Sequence, residues 1–136
     1  MADKWTPEQR SRMMARVKNA NTTPEVEVRK VLHSLGYRFR LHDRKLPGAP
    51  DIILPKHRKV IFVHGCFWHG HTCNKGRRPT SRVEFWDAKL DANHARDNAA
   101  QTQLREQGWG VLVVWECEVK SKSGVSTILT EFMTNE

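Results

Sequence analysis

The chain has 136 residues, of which 38% are hydrophobic, which is enough for one domain with an apolar core. This composition excludes wholesale disorder, and no apolar run reaches the roughly 18 residues of a membrane-spanning helix. The first residues are charged and lack the apolar stretch of a secretory signal, so we expect a cytoplasmic protein. A formal net charge of +8 indicates an acidic partner.

The positive charge is concentrated in one part of the chain. Residues 56–82 contain seven Lys or Arg residues and no acidic residue. A basic field of this kind is typical of a protein that binds a polyanion such as a nucleic acid. The alternative is a solvated loop without a charged partner.

Apolar spacing and turn residues predict an alternation of helices and strands. A first helix is predicted over residues 6–18, and a second over 24–35, capped by Thr23 and ended by Gly36. Strands are then predicted over 37–41, 51–54, 59–63 and 110–115, and further helices over 82–107 and 124–134. This order predicts a mixed α/β domain whose sheet is buried between helices.

The three cysteines lie where a metal site could use them. Cys66, His71 and Cys73 form a C-x4-H-x-C cluster, and Cys117 follows the last predicted strand. Three cysteines and one histidine are a common ligand set for structural zinc. The alternative is three unrelated buried thiols.

The long predicted helix has two contrasting sides. One side carries small residues that would let the helix lie close to a sheet: Ala88, Ala92, Ala95 and Ala99. The opposite side carries an aromatic ring, a cation, an amide and a carboxylate: Trp86, Lys89, Asn93 and Asp97. Leu90 and Leu104 lie near this polar stripe and blur the division. We expect the alanines against the sheet and the polar stripe toward a ligand, and the alternative is an ordinary solvated face.

Candidate catalytic side chains gather around the second and third predicted strands. Asp51 opens the second strand, Glu25 lies in the first turn of the second helix, and His64 and His69 flank the first cysteine. Carboxylates hold the hard divalent cation that phosphodiester hydrolysis needs, and an imidazole moves protons near neutral pH. Asp97 is a candidate for orienting such an imidazole. The structural alternatives are a turn cap for Asp51 and a core histidine for His64.

Several segments closely resemble the very-short-patch repair endonucleases, the Vsr family. They are PGAPD, VIFVHGCFWHGHTC, RVEFWDAKL and GWGVLVVWEC, together with the N-terminal RSRMM and TTPEVEVRKVL. The likeness covers nearly the whole chain, and HGCFWHGH with a nearby cysteine is highly specific. It implies a restriction-endonuclease-like core, a central mixed β-sheet flanked by helices, with a structural zinc site. A single domain over 1–136 is expected, with a DNA-contacting helix in 1–20 and the catalytic core in 21–136.

The resemblance also implies an activity and partners. Members of this family nick one strand of duplex DNA, 5′ of the thymine in a T·G mismatch, in a Mg2+-dependent reaction that initiates very short patch repair. Such mismatches arise when 5-methylcytosine deaminates, which links the enzyme to a cytosine-5 DNA methyltransferase and to the mismatch-repair machinery. We expect a monomer that associates with the nucleoid when it acts on DNA.

Residue-by-residue matching to the family implies a metal site and a catalytic site. Asp51 matches the metal-binding carboxylate, and the main-chain carbonyl of Val63 matches a second Mg2+ contact, where the family usually has threonine. His69 matches the catalytic histidine, and Asp97 matches the residue that orients it. Two assisting positions are matched by His64 and Glu25.

The zinc ligands and DNA contacts are implied in the same way. The zinc set comprises Cys66, His71, Cys73 and Cys117. The aromatic wedges between base pairs are matched by Phe67, Trp68 and Trp86. The mismatched pair is read by Lys89 and Asn93, and Met14 contacts the opposite groove. Two histidines of the family's polyhistidine run are replaced, by Gly70 and Thr72, outside both the catalytic and the zinc sets.

Two other functions stay open. One is a small restriction endonuclease that cuts intact sites, because Vsr-like folds occur in such enzymes. The other is a zinc-stapled DNA-binding module without chemistry, which would have no use for Asp51, His69 and Asp97. For Trp68 and Trp86, the alternative to a wedge is a place in the core.

Overall fold

The computed structural model describes residues 22–66, 77–120 and 122–135. Within these ranges lie, in chain order, α1 (Thr23–Ser34), β1 (Arg40–Leu41), β2 (Ile52–Leu54), β3 (Lys59–His64), α2 (Val83–Glu106), β4 (Gly110–Trp115) and α3 (Lys122–Thr134). Each of these elements was predicted from the sequence, with end shifts of up to three residues. The largest shift is in β1, where only the last two of the five predicted residues form a strand. The helix predicted over 6–18 lies outside the described residues. In the part of the chain described here, no helix combines the length and apolarity needed to cross a membrane.

The four strands form one mixed sheet in the order β1-β2-β3-β4. The β1–β2 and β2–β3 pairs are antiparallel, and β3 and β4 are parallel, with His64 opposite Trp115. The parallel pair requires a crossover, and α2 lies within it. The predicted mixed sheet is therefore confirmed.

Helices cover both faces of this sheet. One apolar cluster joins sheet residues to α1 and α3: Val28, Val31, Leu32, Ile52, Leu54, Ile61, Val114, Val125, Leu129 and Met133. A second cluster joins the other face to α2: Ile53, Val60, Phe62 and Leu104. Side chains of successive strand residues point to opposite faces, so Ile52 and Ile53 enter different clusters. The prediction of a sheet buried between helices is confirmed.

The N-terminus of α1 is held by a reciprocal capping box. The Thr22 hydroxyl accepts a hydrogen bond from the Glu25 N–H (3.4 Å), and the Glu25 carboxylate accepts one from the Thr22 N–H (3.3 Å). The prediction of Thr23 as the cap is therefore wrong by one residue. A capping box needs a carboxylate or amide side chain three residues after the cap, and Glu25 stands in that position relative to Thr22. Gly36 follows the helix with φ +87°, as its predicted role at the helix end requires.

The prediction for the two sides of α2 is wrong. The four alanines are exposed. The buried residues of this helix are Trp86, Leu90, Ala100 and Leu104. The hydrophobic effect scales with the apolar area removed from water, and a leucine or tryptophan removes far more than an alanine methyl. The face with the large apolar residues therefore lies against the protein, and it takes Asn93 and Asp97 into half-buried positions.

The loop before β2 packs closely against α2. Gly48 has φ +72°, and a Cβ added there would lie 2.7 Å from Ala100 Cβ and 3.2 Å from the Phe62 ring. Only glycine suits both this backbone conformation and this close approach. The packing of the loop places the start of β2, and therefore Asp51, relative to the sheet.

Candidate metal centre

Asp51 is held by two hydrogen bonds to neighbouring strands. Its Oδ2 accepts a hydrogen bond from the Val63 N–H (2.7 Å). Its main-chain carbonyl accepts one from the His42 N–H (3.1 Å), which continues the β1–β2 pairing. The carboxylate is therefore placed at the His64 end of β3 by the backbone on both sides.

Glu25 reaches the same end of the sheet from the first turn of α1. Its side chain is 2% exposed, and Oε1 lies 3.2 Å from Arg29 Nη2. Oε1 also contacts Nε2 of His42. A carboxylate this buried needs charged or hydrogen-bonded partners to offset its lost hydration, and Arg29 and His42 are such partners.

Glu25, His42 and Asp51 together form a candidate metal centre. Each offers one ligand atom, and these atoms all lie within 4.8 Å of one another. Carboxylate oxygens are the donors that hard divalent cations prefer, so this donor set fits a divalent cation. The predicted roles of Asp51 and Glu25 therefore fall on residues that the fold brings together.

His42 was missed by the sequence analysis. It directly follows β1, as Asp51 directly precedes β2, and Leu41 pairs with Ile52 in the antiparallel register. The next pair outward is therefore His42 opposite Asp51. The sequence signal was that the strands predicted over 37–41 and 51–54 follow one another in the chain, but their pairing register cannot be known until the ends of both strands are known.

The residues predicted beside Asp51 on β3 are also near it. Val63 is half-buried and contacts Asp51 through its N–H, whereas the predicted metal contact of its carbonyl stays a prediction. His64 is buried, with its ring centroid 5.6 Å from that of Phe62 and 5.3 Å from that of Trp115. These surroundings are those of the core-histidine alternative, and an assisting role for His64 stays a prediction.

Three of the four polar-stripe residues on α2 are exposed to solvent at least in part, and the fourth, Trp86, is buried. Lys89 is exposed, and Asn93 and Asp97 are half-buried. Asn93 Oδ1 accepts a hydrogen bond from Arg96. Trp86 is only 4% exposed, so the expectation that it faces outward is wrong. A stack of Trp86 on DNA bases stays a prediction, and it would require the ring to leave its buried position.

The two described cysteines lie at the same end of the sheet, just after β3 and β4. Cys66 and Cys117 each follow, by two residues, the paired His64 and Trp115 at the ends of parallel strands. The Cys66 N–H donates to the carboxylate of Glu116 (3.4 Å), which joins the two segments. Neither cysteine forms a disulfide. The structure therefore brings these two predicted zinc ligands to the same region, while zinc itself stays a prediction.

The remaining predicted site residues cannot be located in the same way. They lie outside the described residues: Met14, Phe67, Trp68, His69, His71 and Cys73.

The basic run in residues 56–82 is divided between distant places. Arg58 and Lys59 lie at the start of β3, roughly 16 Å from its His64 end at the usual rise per residue. Arg58 donates to the Gln107 carbonyl (3.1 Å), and Lys59 donates to carbonyls at the end of α3. Arg78, in contrast, contacts Asp87 and Asp91 near the opposite end of α2 from Gln107, so the described residues of the basic run lie in two separate places.

Arg78 joins the segment before α2 to the helix itself. It donates to Asp91 (2.6 Å) and to Asp87 (3.0 Å). The hydrogen bond with Asp91, followed by that with Asp87, raises the pKa of Arg78 above its ordinary value. Arg78 therefore ties the segment before α2 to the helix through two ion pairs, and its charge is partly neutralised within the protein.

The fold is shared with a solved protein domain. The structure is similar to a solved homing endonuclease I-Bth0305I catalytic domain, with a TM-score of 0.57 over 82% of this chain and 94% of that one, at 20% sequence identity. At this identity the likeness shows the fold alone.

Sequence comparison identifies the family. The profile described as "DNA mismatch endonuclease Vsr" matches residues 2–75. The chain is 48% identical to the type II nicking enzyme V.XorIIP of Xanthomonas oryzae pv. oryzae, over 98% of both chains. It is 40% identical to the DNA mismatch endonuclease Vsr of Escherichia coli, over 90% of this chain and 78% of that protein. The chain therefore belongs to the Vsr family of DNA mismatch endonucleases, and the resemblance stated from the motifs is confirmed.

Proposed function

We propose that this protein nicks one strand of duplex DNA on the 5′ side of the thymine in a T·G mismatch, and so initiates very short patch repair. The observation that carries the proposal is the convergence of Glu25, His42 and Asp51 at one sheet edge in a chain of the Vsr family. One relative is named a DNA mismatch endonuclease and another a nicking enzyme. These names support a cut in one strand at a mismatch.

The candidate metal ligands are positioned for this reaction by the fold itself. Asp51, Glu25 and the main-chain carbonyl of Val63 would hold Mg2+, which when bound stabilises negative charge at the scissile phosphate. The Val63 N–H holds the Asp51 carboxylate in place before DNA arrives, so little reorganisation is needed. His69 moves the proton, and Asp97 orients its ring. His64 assists from its position at the end of β3.

Structural zinc is a second part of the proposal. Cys66, His71, Cys73 and Cys117 would hold it, a ligand set that zinc favours. Cys66 and Cys117 follow the paired ends of β3 and β4, and this position supports the assignment. A zinc ion there would tie the segment after β3 to the end of β4, so that Phe67 and Trp68 are presented at low entropic cost.

Mismatch recognition is assigned to aromatic wedges and to polar readers. Phe67 and Trp68 insert between base pairs, which costs a few kcal/mol of unstacking and less beside a mismatch. Lys89 and Asn93 read the displaced base edges of the T·G wobble pair. Met14 contacts the opposite groove. Trp86 would join these wedges only if its ring left the buried position that it has in the free protein.

The cellular setting follows from the substrate. T·G pairs form where 5-methylcytosine deaminates, so the enzyme accompanies a cytosine-5 DNA methyltransferase and acts alongside mismatch repair. We propose that residues 1–20 contact DNA ahead of the catalytic core in 21–136, and that the enzyme acts as a monomer.

A strand-specific nicking assay tests the proposal. Duplexes that differ only at one pair, T·G, T·A or C·G, are labelled on either strand and incubated with the full chain and Mg2+, with the flanking bases randomised. We expect one nick, 5′ of the mismatched thymine, in the T·G duplex alone. Equal cutting of T·A and T·G duplexes would favour the restriction-endonuclease alternative. Binding of T·G duplex without cutting in any divalent cation would favour the binding module.

A further inference from the structure

His42 has a backbone conformation that histidine tolerates but rarely adopts. Its φ is +50°, in the left-handed region, directly after the edge strand β1. Its N–H donates to the Asp51 carbonyl, so this conformation is tied to the residue that opens β2. The backbone therefore holds the His42 side chain in a defined relation to Asp51.

The His42 imidazole faces charged groups on α1. Nε2 contacts Glu25 Oε1, and it lies 3.4 Å from Arg29 Nη2. The side chain is 29% exposed, so solvent and ions reach it, whereas Glu25 is almost fully buried. A half-exposed imidazole between a buried carboxylate and a second carboxylate has the position of a metal ligand at the mouth of a site.

The charges of the cluster are complementary to a divalent cation. Glu25 and Asp51 contribute two negative charges when ionised, and Arg29 contributes one positive charge beside Glu25. The cluster is thus left with net negative charge when His42 is neutral. Nε2 contacts the Glu25 carboxylate in the metal-free protein, so a bound dication would replace that contact, release to solvent any proton shared in it, and take the Nε2 lone pair together with carboxylate oxygens.

We infer that His42 Nε2 is a further ligand of the divalent-cation site, and that this donor makes the site bind Mn2+ in preference to Mg2+. The inference rests on the metal centre of the proposed function. Mg2+ takes oxygen ligands almost exclusively, whereas imidazole nitrogen suits transition-metal ions, and Mn2+ accepts both. Carboxylates alone would hold both ions, so the nitrogen donor is what separates them.

Mn2+ binding to the full chain without DNA tests this directly. Mn2+ and Mg2+ are titrated calorimetrically into the wild type, His42→Gln and His57→Gln. His57 is a matched control because it is exposed and contacts the Tyr37 ring edge-on. Glutamine keeps a polar side chain at position 42 without an imidazole. We expect His42→Gln to weaken Mn2+ binding by at least roughly tenfold and Mg2+ binding by much less, and His57→Gln to change neither.

Pulsed electron paramagnetic resonance of the Mn2+ complex supplies a spectroscopic signature. We expect a nitrogen coupling in the wild type and in His57→Gln, and its loss in His42→Gln. Persistence of the coupling and the affinity in His42→Gln would overturn the inference. A wild-type complex without any histidine-nitrogen coupling would overturn it too, even if His42→Gln did not fold.

These results are separable from the proposed function. If T·G duplexes are nicked in Mg2+ but Mn2+ shows no coupling to His42, only the role of His42 fails. If Mn2+ binds through His42 but no T·G duplex is cut in either ion, the ligand assignment holds and the proposed function fails.

Discussion

The Val63 N–H donates a hydrogen bond to Asp51 Oδ2 over 2.7 Å, so the carboxylate that opens β2 is held by the backbone of β3. Hydrogen bonds to ionised carboxylates are stronger than those between neutral groups. Asp51 is thus part of the sheet as well as a candidate metal ligand. A substitution there must separate these two roles.

Asp51→Asn should separate them. The asparagine carbonyl oxygen can still accept the Val63 hydrogen bond, so the melting temperature should change little, but the negative charge is lost. Metal ions supply several kcal/mol of transition-state stabilisation, so nicking should fall at least roughly a hundredfold while T·G duplex binding persists. Asp43→Asn is the control, because that carboxylate lies outside the candidate metal centre and accepts the Lys45 N–H (2.9 Å) in an exposed turn. Nicking by Asp51→Asn near the wild-type rate would refute the assignment.

Trp86 and Phe85 form a matched pair of adjacent aromatic residues. Trp86 is 4% exposed and Phe85 is 45% exposed. Trp86→Ala should cost about 3–5 kcal/mol of unfolding free energy, because it leaves a cavity, whereas Phe85→Ala should cost under about 1 kcal/mol. Chemical denaturation of both variants measures the difference. Equal stabilities would mean that Trp86 is not a core residue in solution.

Cys117→Ser tests the zinc assignment. The purified wild type should contain about one zinc per chain, and the variant should lose it and unfold more easily, since structural zinc contributes on the order of 10 kcal/mol in small domains. Elemental analysis and thermal unfolding give both results. Glu116→Gln, one residue away, should keep its zinc. An active preparation without zinc would overturn the assignment.

Gly48→Ala probes the packing of the loop before Asp51 against α2. The new methyl would lie 2.7 Å from Ala100 Cβ, so we expect a loss of about 1–3 kcal/mol beyond that of Gly36→Ala. Gly36 also has positive φ, but a Cβ there meets nothing within 4 Å, so it reports the backbone cost alone. Adding Ala100→Gly should recover part of the loss in a double-mutant cycle. Additive losses would argue against direct contact.

Arg78 should stabilise the protein equally across the working pH range. Its pKa is raised by its hydrogen bonds to Asp91 and Asp87, so its contribution is complete below the ordinary guanidinium pKa of the unfolded chain and is lost only as pH rises through the higher folded pKa. The stability difference between wild type and Arg78→Ala should therefore be constant from about pH 6 to 10. It should shrink in roughly 1 M salt, because the side chain is partly exposed. A difference that changes between those pH values would contradict this.

Local sequence determined the elements of this protein. Helix caps, glycine ends and apolar spacing act over a few residues, so the α-helices and strands in the described ranges were predictable, and with them the mixed α/β class. Asp51 and Glu25 were also predictable as residues of the candidate metal centre, because the chemistry of a metal site restricts the residue types. The family was evident from short motifs that the later comparisons confirmed.

Tertiary structure decided which side chains meet. The face of α2 that is buried depends on the sheet surface it covers, and there the large apolar area of Trp86 and Leu90 outweighed the small alanines. Likewise, His42 joins Glu25 and Asp51 only because the β1–β2 register and the first turn of α1 converge at one sheet edge. Such contacts join residues distant in sequence, and short-range patterns carry no information about them.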